Sequence, residues 1–243
     1  MSSVVVQKNV AEVAAYAAEQ ACSVLAAAIA EHGEAVWLLA GGTAPLAAYA
    51  LIAEQYRSRL DWQKVWFAIG DERCVVAASP DYNWGQIARA LLNPLNIPVE
   101  HRLVPLADAT AEPAASAYAA ALTKLPQIHN MPRFDLAWFG MGEDGHTLSL
   151  FPGQPEVADR DELVTAVHDS PKPPPDRITL TLRALAGVQN GYIVTTGDAK
   201  ADAIRQVLHD RALLPVLKVA QAIENGGGTL AWLLDEAAAA ALN

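Results

Sequence analysis

A glycine-rich segment at residues 140–146 ends on His146 and has the residue types best suited to chemistry. It follows an apolar run at residues 134–139 that is typical of a buried strand. Its glycines allow a tight turn and a close approach of the backbone to a ligand. A histidine with the usual pKa of about 6.5 is mostly neutral at pH 7. The pattern predicts a general base at the end of a strand, and a glycine-rich turn with a solvated histidine is the alternative.

Asp144 lies two residues before His146 in the same segment. At this spacing its carboxylate is suited to fixing the imidazole tautomer or orienting a water, and capping of the loop is the competing interpretation. The sequence contains neither a GxSxG nucleophile motif nor an HExxH motif or Cys/His cluster. We therefore take His146 and Asp144 as candidate catalytic residues and expect no metal site.

A second glycine motif, Gly41-Gly42-Thr43, follows the apolar run at residues 35–40. Thr43 is suited to cap a helix, and Pro45 is suited to the first helical turn. Free N–H groups at a helix start attract anions, so the segment predicts an anion site. The alternative is a capped turn without a ligand. The motif lacks the GxGxxG spacing of a dinucleotide site and the GKS or GKT ending of a Walker loop.

Three cations, Arg73, Arg177 and Lys200, are candidates for holding a phosphate group. Arg73 and Lys200 come just after predicted strands, whereas Arg177 reaches the site only if a proline-rich loop folds over it. For each one, a solvated surface cation is the alternative. Asp71 and Glu72, beside Arg73, are suited either to contacts with sugar hydroxyls or to pairing with Arg73.

These motifs follow apolar runs that predict strands at residues 35–40, 65–69, 134–139 and 192–196, with a final strand at 229–234. Helical patterns lie near residues 45–58, 82–92, 112–124 and 199–209, after a first amphipathic helix and before an alanine-rich C-terminal helix. The alternation predicts an α/β fold: a three-layer, doubly wound, mainly parallel, Rossmann-like sheet with helices on both faces. Ligands in such folds bind beyond the carboxyl ends of the strands, where every motif above lies.

The segment at residues 151–187 forms a small insert with a different pattern. Residues 170–176 are proline-rich and predict an extended loop. Strands are predicted on both sides of it, at residues 163–167 and 177–182, and the second alternates with period two, which predicts a solvated face. No linker divides the chain, so we expect one domain spanning residues 1–243.

The composition limits the partners of the protein. The 17 basic and 27 acidic residues give a net charge of −10, which argues against nucleic acid. Two cysteines without a clustered pattern indicate a reducing compartment. The apolar N-terminal run lacks the basic leader of a signal peptide, and no run reaches the roughly 20 apolar residues of a membrane span. We expect a cytoplasmic monomer that binds no membrane.

The motifs resemble those of the 6-phosphogluconolactonase family, within the superfamily of glucosamine- and galactosamine-6-phosphate isomerases. The matching segments occur in the family's order between about residues 35 and 235. They are residues 41–45, 70–73, 140–153 and 177–181, with Gly197 and Lys200. The segment at residues 140–153 carries the most specific match.

The resemblance implies a hydrolase without a cofactor that opens 6-phospho-D-glucono-1,5-lactone to 6-phospho-D-gluconate in the oxidative pentose phosphate pathway. By this analogy His146 activates the water, while Arg73 and Lys200 hold the phosphate of a phosphorylated sugar lactone. The candidate substrate-binding residues are Gly41, Gly42, Thr43, Asp71, Arg73, Gly142, Arg177 and Lys200.

Two other functions remain alternatives. An aminosugar-6-phosphate deaminase/isomerase resembles this family in fold and also carries an Asp-Gly-His loop. That group typically has tyrosine where this chain has Arg73, which favours the lactonase. A non-catalytic sugar-phosphate sensor needs the cations but no base, so the presence of His146 argues against it.

Overall fold

Strands and helices alternate over residues 3–242, the part of the chain that the computed structural model describes. The strands are, in chain order, β1 (Ser3–Gln7), β2 (Ala35–Leu39), β3 (Val65–Ile69), β4 (Asp71–Arg73), β5 (Gln127–Ile128), β6 (Met131–Pro132), β7 (Leu136–Phe139), β8 (Val164–Val167), β9 (Arg177–Leu180), β10 (Asn190–Thr195) and β11 (Thr229–Asp235). The α-helices are α1 (Val10–His32), α2 (Thr43–Gln55), α3 (Asn83–Ile87), α4 (Ala111–Leu122), α5 (Leu182–Leu185), α6 (Ala201–Leu208) and α7 (Pro215–Asn225).

Six strands form a parallel sheet in the order β1-β11-β10-β7-β2-β3. From β2 the chain moves outward to β3, and from β7 it moves outward in the other direction to β10 and β11. The winding direction therefore changes between β2 and β7, and in open α/β sheets the ligand crevice lies at such a change. The predicted fold class, a mainly parallel doubly wound α/β sheet, is confirmed.

The centre of the sheet is buried on both faces. Every residue of β2 and of β7 is buried. Trp37 packs edge-on against Trp138, with ring centroids 4.9 Å apart, and Tyr49 of α2 stacks on Trp138 at 5.2 Å. Coverage of both faces explains why these strands have continuous apolar runs rather than an alternating pattern.

Two buried tyrosines hold the carboxyl ends of β2 and β3. The Tyr49 hydroxyl accepts a hydrogen bond from the Ala40 N–H at 3.0 Å and donates one to the Ala40 carbonyl at 3.2 Å. The Tyr118 hydroxyl makes the same pair of bonds with Ile69, at 2.7 and 2.8 Å. Side chains from α2 and α4 thus fix the two points from which the chain leaves the parallel sheet.

The insert forms a three-stranded antiparallel sheet in the order β4-β9-β8. The chain enters it from β3 through Gly70, whose N–H still bonds to the Leu39 carbonyl at 3.0 Å. The predicted solvated face of β9 is wrong, because all four of its residues are buried. Strand β9 lies between β4 and β8, and α4 packs against both β8 and β9. The alternation of polar and apolar residues in β9 therefore does not indicate an exposed face, because the polar and the apolar side chains are both buried.

Helix α1 is the long apolar helix near the N-terminus. The Asn9 side chain caps it by accepting the Glu12 N–H at 3.0 Å, and Gly33 ends it with a φ of 85°. The helix is long enough to cross a membrane, and an 18-residue stretch of it is apolar enough, with a mean hydropathy of 1.5. In the fold, 44% of that stretch is buried inside the protein. Among its apolar residues, Val13 and Ala17 are buried, whereas Val10 is exposed.

Two helical predictions need correction. The alanine-rich C-terminal helix is wrong: after β11 the chain turns, and only a short 3-10 helix forms at Ala240–Leu242. The Asp235 carboxylate accepts the Ala238 N–H at 2.9 Å in that turn, and too few residues follow to nucleate an α-helix. The helix predicted at residues 82–92 is α-helical only in α3 and continues as a π-helix at Ala88–Leu92. Helix α7 and strand β1 have no counterpart among the predicted elements.

Candidate active site

A cavity of about 220 Å³ lies beyond the carboxyl ends of β2 and β7, where the winding direction changes. It brings together eight of the ten candidate residues: Gly41, Gly42, Asp71, Arg73, Gly142, His146, Arg177 and Lys200. Asp144 lies behind His146, and Thr43 does not line the cavity. Residues that the sequence analysis did not select also line it, among them Asn83, Thr147 and Lys172.

Asp144 and His146 form a hydrogen-bonded pair at the edge of the cavity. His146 Nδ1 lies 2.5 Å from Asp144 Oδ1. An ionised carboxylate only accepts hydrogen bonds, so Nδ1 carries the proton and Nε2 keeps a free lone pair. Within residues 3–242 nothing hydrogen-bonds to Nε2. The pair therefore presents an imidazole nitrogen that can accept a proton.

The pKa values of this pair support a neutral imidazole beside an ionised carboxylate. Burial lowers the pKa of His146 below its ordinary 6.5 and outweighs the nearby Asp144 carboxylate, which acts to raise it. Burial acts to raise the pKa of Asp144, but hydrogen bonding to His146 and the positive charge of Lys172 bring that pKa below its ordinary value. Both groups thus stay in the protonation states that general-base catalysis needs.

Residues 140–147, which we call the base loop, hold the pair by contacts within the loop. The Gly142 N–H donates to the His146 carbonyl at 2.8 Å, and the Thr147 hydroxyl donates to the Gly140 carbonyl at 2.7 Å. A Cβ on Gly142 would lie 2.0 Å from His146 Nδ1. Glycine is therefore required at position 142, because the imidazole packs directly on the backbone.

The turn after β2 differs from its prediction in one respect. Thr43 is not the cap of α2: Gly42 precedes the helix with a φ of 100°, no side chain caps the end, and Thr43 is exposed. The first N–H groups of the helix have no partner within a helix and favour an anion. A Cβ on Gly41 would lie 2.3 Å from Asn83 Oδ1, so this turn packs against the start of α3.

The acidic residues of β4 have separate roles. Asp71 lines the cavity, and its Oδ2 accepts the Ser149 hydroxyl at 2.6 Å. Glu72 lies outside the cavity and accepts the N–H groups of Asn83 and Trp84 at 2.9 and 2.7 Å, so it caps α3. Burial raises the pKa of Glu72 to about 7. Glu72 is therefore not placed for a sugar contact, and its interaction with Arg73 is a hydrogen bond accepted from the Arg73 main-chain N–H at 2.8 Å, not an ion pair with the guanidinium.

Arg73 and Lys200 line the cavity from two further strand ends. Arg73 Nη1 donates to the Asp81 carbonyl at 2.9 Å, while its buried Nε has no partner in the described part of the chain. Lys200 follows Gly197, whose φ of 95° turns the chain out of β10. Neither cation forms an ion pair with a carboxylate among residues 3–242, so both keep their charge available to a ligand.

Arg177 is buried, with 3% of its surface exposed, and much of its hydrogen-bonding capacity is used inside the protein. Nε donates to the Pro174 carbonyl at 3.0 Å, and Nη2 donates to the carbonyls of Lys172 and Pro173 at 2.8 and 3.1 Å. These bonds fold residues 168–176, which we call the proline loop, over the cavity. Arg177 lines the site as expected, but it also organises the loop, which the sequence analysis did not foresee.

Lys172, in the proline loop, was missed as a site residue. Its Nζ lies 3.6 Å from Asp144 Oδ1, the same oxygen that contacts His146. The only signal in the sequence was a lysine enclosed by prolines, and its position depends on how that loop folds.

A larger groove of about 710 Å³ lies elsewhere, between α5 and α7. Its arginines are already paired: Arg183 Nη1 lies 3.5 Å from Asp161, and Arg160 Nη1 lies 3.1 Å from Glu162. It carries no histidine and no free carboxylate–imidazole pair. The smaller cavity is therefore the better candidate. Residues 3–242 contain no cluster of three His, Cys, Asp or Glu side chains able to hold a metal ion.

A doubly wound sheet with a carboxylate–imidazole pair and several cations at its crevice is typical of α/β proteins that bind anionic ligands. Residues 8–232 match the family described as "Glucosamine-6-phosphate isomerases/6-phosphogluconolactonase", and the chain belongs to that family.

Relatives and solved structures agree with this assignment. The 6-phosphogluconolactonase of Mycobacterium tuberculosis is 36% identical over 94% of this chain and 93% of its own. A probable 6-phosphogluconolactonase of Arabidopsis thaliana is 32% identical over 98% and 92%. The structure of 6-phosphogluconolactonase from Trypanosoma brucei superimposes with a TM-score of 0.86 at 28% identity, covering 100% and 99% of the two chains. A monomeric glucosamine-6-phosphate deaminase shares the fold, with a TM-score of 0.80 at 18% identity over 98% and 99%.

Proposed function

We propose that this protein hydrolyses 6-phospho-D-glucono-1,5-lactone to 6-phospho-D-gluconate, with His146 as the general base. The observation that carries the mechanism is the 2.5 Å contact between His146 Nδ1 and Asp144 at the wall of a cavity that also holds Arg73 and Lys200. The 6-phosphogluconolactonases among its relatives support the choice of substrate. As a hydrolase it would act in the oxidative pentose phosphate pathway.

The reaction needs a positioned water and a base, because a lactone carbonyl is an activated ester. His146 Nε2 takes a proton from the water as its oxygen attacks the carbonyl carbon. Asp144 holds the Nδ1–H tautomer and stabilises the imidazolium that forms. General-base assistance of this kind contributes about 10²–10⁴ in rate.

The phosphate would lie against cations and backbone N–H groups away from the base. Arg73, Lys200 and the start of α2 after Gly42 offer positive charge from three separate segments. These contacts with the phosphate would orient the lactone ring relative to His146. Part of the binding energy would thus be used to position the lactone carbonyl for the reaction.

The test is hydrolysis of freshly generated lactone by the purified protein, followed as acid release above the spontaneous rate. We expect His146→Ala to lower kcat by about 10²–10⁴-fold, with a circular dichroism spectrum like that of the wild type. Lys200→Ala is the matched comparison, and we expect it mainly to raise KM. A folded His146→Ala enzyme with full activity would reject the mechanism.

Glucosamine 6-phosphate serves as the parallel substrate, because the family also contains isomerases. Ammonia release from it, without lactone hydrolysis, would reject the proposed substrate. We further propose that the protein is a monomer and that it acts in the cytoplasm; the two free cysteines, Cys22 and Cys74, support the second proposal. Light scattering after size-exclusion chromatography tests the monomer.

A further inference from the structure

Lys172 of the proline loop lies beside the catalytic pair. Its Nζ is 3.6 Å from Asp144 Oδ1, and that oxygen is 2.5 Å from His146 Nδ1. Its side chain is 37% exposed and lines the cavity. No other lysine or arginine among residues 3–242 lies within ion-pair distance of Asp144 or His146.

The main chain of Lys172 is anchored independently of its side chain. Its carbonyl accepts hydrogen bonds from Arg177 Nη2 and from the Ser170 hydroxyl, both at 2.8 Å. Arg177 is itself buried and also holds the Pro173 and Pro174 carbonyls. The fold therefore uses a buried arginine to present a lysine at the base, and a change of the lysine side chain leaves these anchoring bonds in place.

We propose that Lys172 is a catalytic residue whose ammonium group stabilises the negative charge that develops on the lactone carbonyl oxygen. The inference rests on the proposed lactone hydrolysis. A base alone leaves that charge uncompensated, and a fixed cation at the developing oxyanion is an effective way to lower the barrier. Arg73 and Lys200 are assigned to the phosphate, and Arg177 uses Nε and Nη2 to hold the carbonyls of the proline loop. Lys172 is therefore the cation that lies next to the base.

The step balances without any co-reactant. Water oxygen bonds to the lactone carbon while His146 Nε2 takes the water proton, and the carbonyl π pair moves onto the oxygen beside Lys172. The electron pair then re-forms the carbonyl, the bond from the carbon to the ring oxygen breaks, and the imidazolium gives its proton to that oxygen. The product acid ionises in solution, and both His146 and Lys172 return to their starting states.

Lys172 also acts on the titration of His146. The charged groups that face the imidazole are Asp144 and Asp71, which favour imidazolium, and Lys172, which disfavours it. Removal of the ammonium group should therefore raise the pKa of His146. A lysine whose side chain only points into solvent would not produce this shift.

The experiment compares Lys172→Met and Lys172→Arg with Lys124→Met. Lys124 is an exposed lysine in the turn after α4 and does not line the cavity. We expect Lys172→Met to lower kcat by about 100-fold with KM changed less than about threefold, because the contact forms only in the transition state. Lys172→Arg should recover much of the loss, and Lys124→Met should behave as the wild type.

A second readout does not depend on turnover. NMR titration of the His146 imidazole, assigned with His146→Gln, should show a higher pKa in Lys172→Met than in the wild type. If the wild type hydrolyses the lactone, three results for Lys172→Met would overturn the role of Lys172 only: an unchanged kcat, a rise in KM without a fall in kcat, or an unchanged pKa of His146. A wild type that does not hydrolyse the lactone would overturn the proposed function and this role together.

Discussion

The base loop and the proline loop meet at Asp144, but they are held in different ways. The base loop is closed by bonds among its own residues, such as Gly142 to His146, and glycine at position 142 leaves no room for adjustment. The proline loop depends on the buried Arg177 and, at its outer end, on His168, whose exposed ring contacts Asp176 and Glu112 at 2.8 Å each. The base is thus fixed locally, whereas the cation beside it is delivered by a segment that other parts of the fold must hold.

Gly142→Ala tests the rigidity of the base loop and should have the largest effect. The new Cβ would lie 2.0 Å from His146 Nδ1 and 2.5 Å from Asp144 Oδ1, so the pair must move. Displacement of catalytic groups by about 1 Å costs roughly 100-fold in rate, and we expect kcat to fall by about that factor. Steady-state kinetics on the folded variant measures it.

Gly140→Ala is the control for this change. Its Cβ would meet only the Gly41 carbonyl, at an ordinary 3.8 Å. We expect a much smaller loss of kcat than for Gly142→Ala. Equal losses in the two variants would mean that the base loop is not specifically rigid at position 142.

Arg177→Lys tests how the proline loop is held. Lysine keeps the charge but lacks the planar fork that bonds three loop carbonyls. We expect a loss of about 2–3 kcal/mol in the free energy of unfolding and a decrease in kcat of about tenfold, because Lys172 is less well placed. Urea unfolding and steady-state kinetics measure the two effects.

Arg183→Lys provides the comparison, because Arg183 is exposed and its partner Asp161 is fully accessible. It should change neither unfolding nor kcat appreciably. If Arg177→Lys also left the free energy of unfolding and kcat unchanged, the proline loop would have to be held by other contacts.

His168→Gln tests the outer end of the proline loop and should have the smallest effect. Hydrogen bonds to Asp176 and Glu112 raise the pKa of His168 above its ordinary 6.5. Because the pKa of His168 is higher in the folded than in the unfolded protein, protonated His168 stabilises the fold fully below pH 6.5. This contribution disappears as the pH rises through the pKa of His168 in the folded protein. We expect a slightly lower Tm than the wild type at pH 5.5 and no difference at pH 9. Thermal scans at both values measure it, and a difference that grows at pH 9 would contradict the assignment.

The features that are predictable from the sequence are those that depend on residues close together in the chain. The strand β7, the turn after it and the spacing of Asp144 and His146 lie within a dozen residues, so their arrangement was predictable. The anchoring of the base loop by its own hydrogen bonds is the physical reason. The parallel sheet was predictable for a similar reason, because burial on both faces leaves continuous apolar runs.

The errors arose where distant segments decide the outcome. Lys172 acquires its position through Arg177, and Glu72 turns away from the cavity because α3 needs a cap. The solvated face expected for β9 is covered by neighbours that come from other parts of the chain. Thr43 was expected to cap α2, but Gly42 occupies that position in a conformation that favours glycine. None of these outcomes is encoded in the pattern of the residues concerned.

The hydroxyls of Tyr49 and Tyr118 have a consequence for where the main chain stops pairing with further strands. Each one occupies both main-chain hydrogen-bonding groups of a residue at a strand end, Ala40 or Ile69, so that residue is no longer free to extend the ladder to a neighbour. Phenylalanine at either position would leave a buried N–H and a buried C=O without partners, at a cost of about 1–3 kcal/mol for each. The Tyr49 phenol therefore ends strand pairing at Ala40, which lines the cavity, and the Tyr118 phenol covers the end of the edge strand β3.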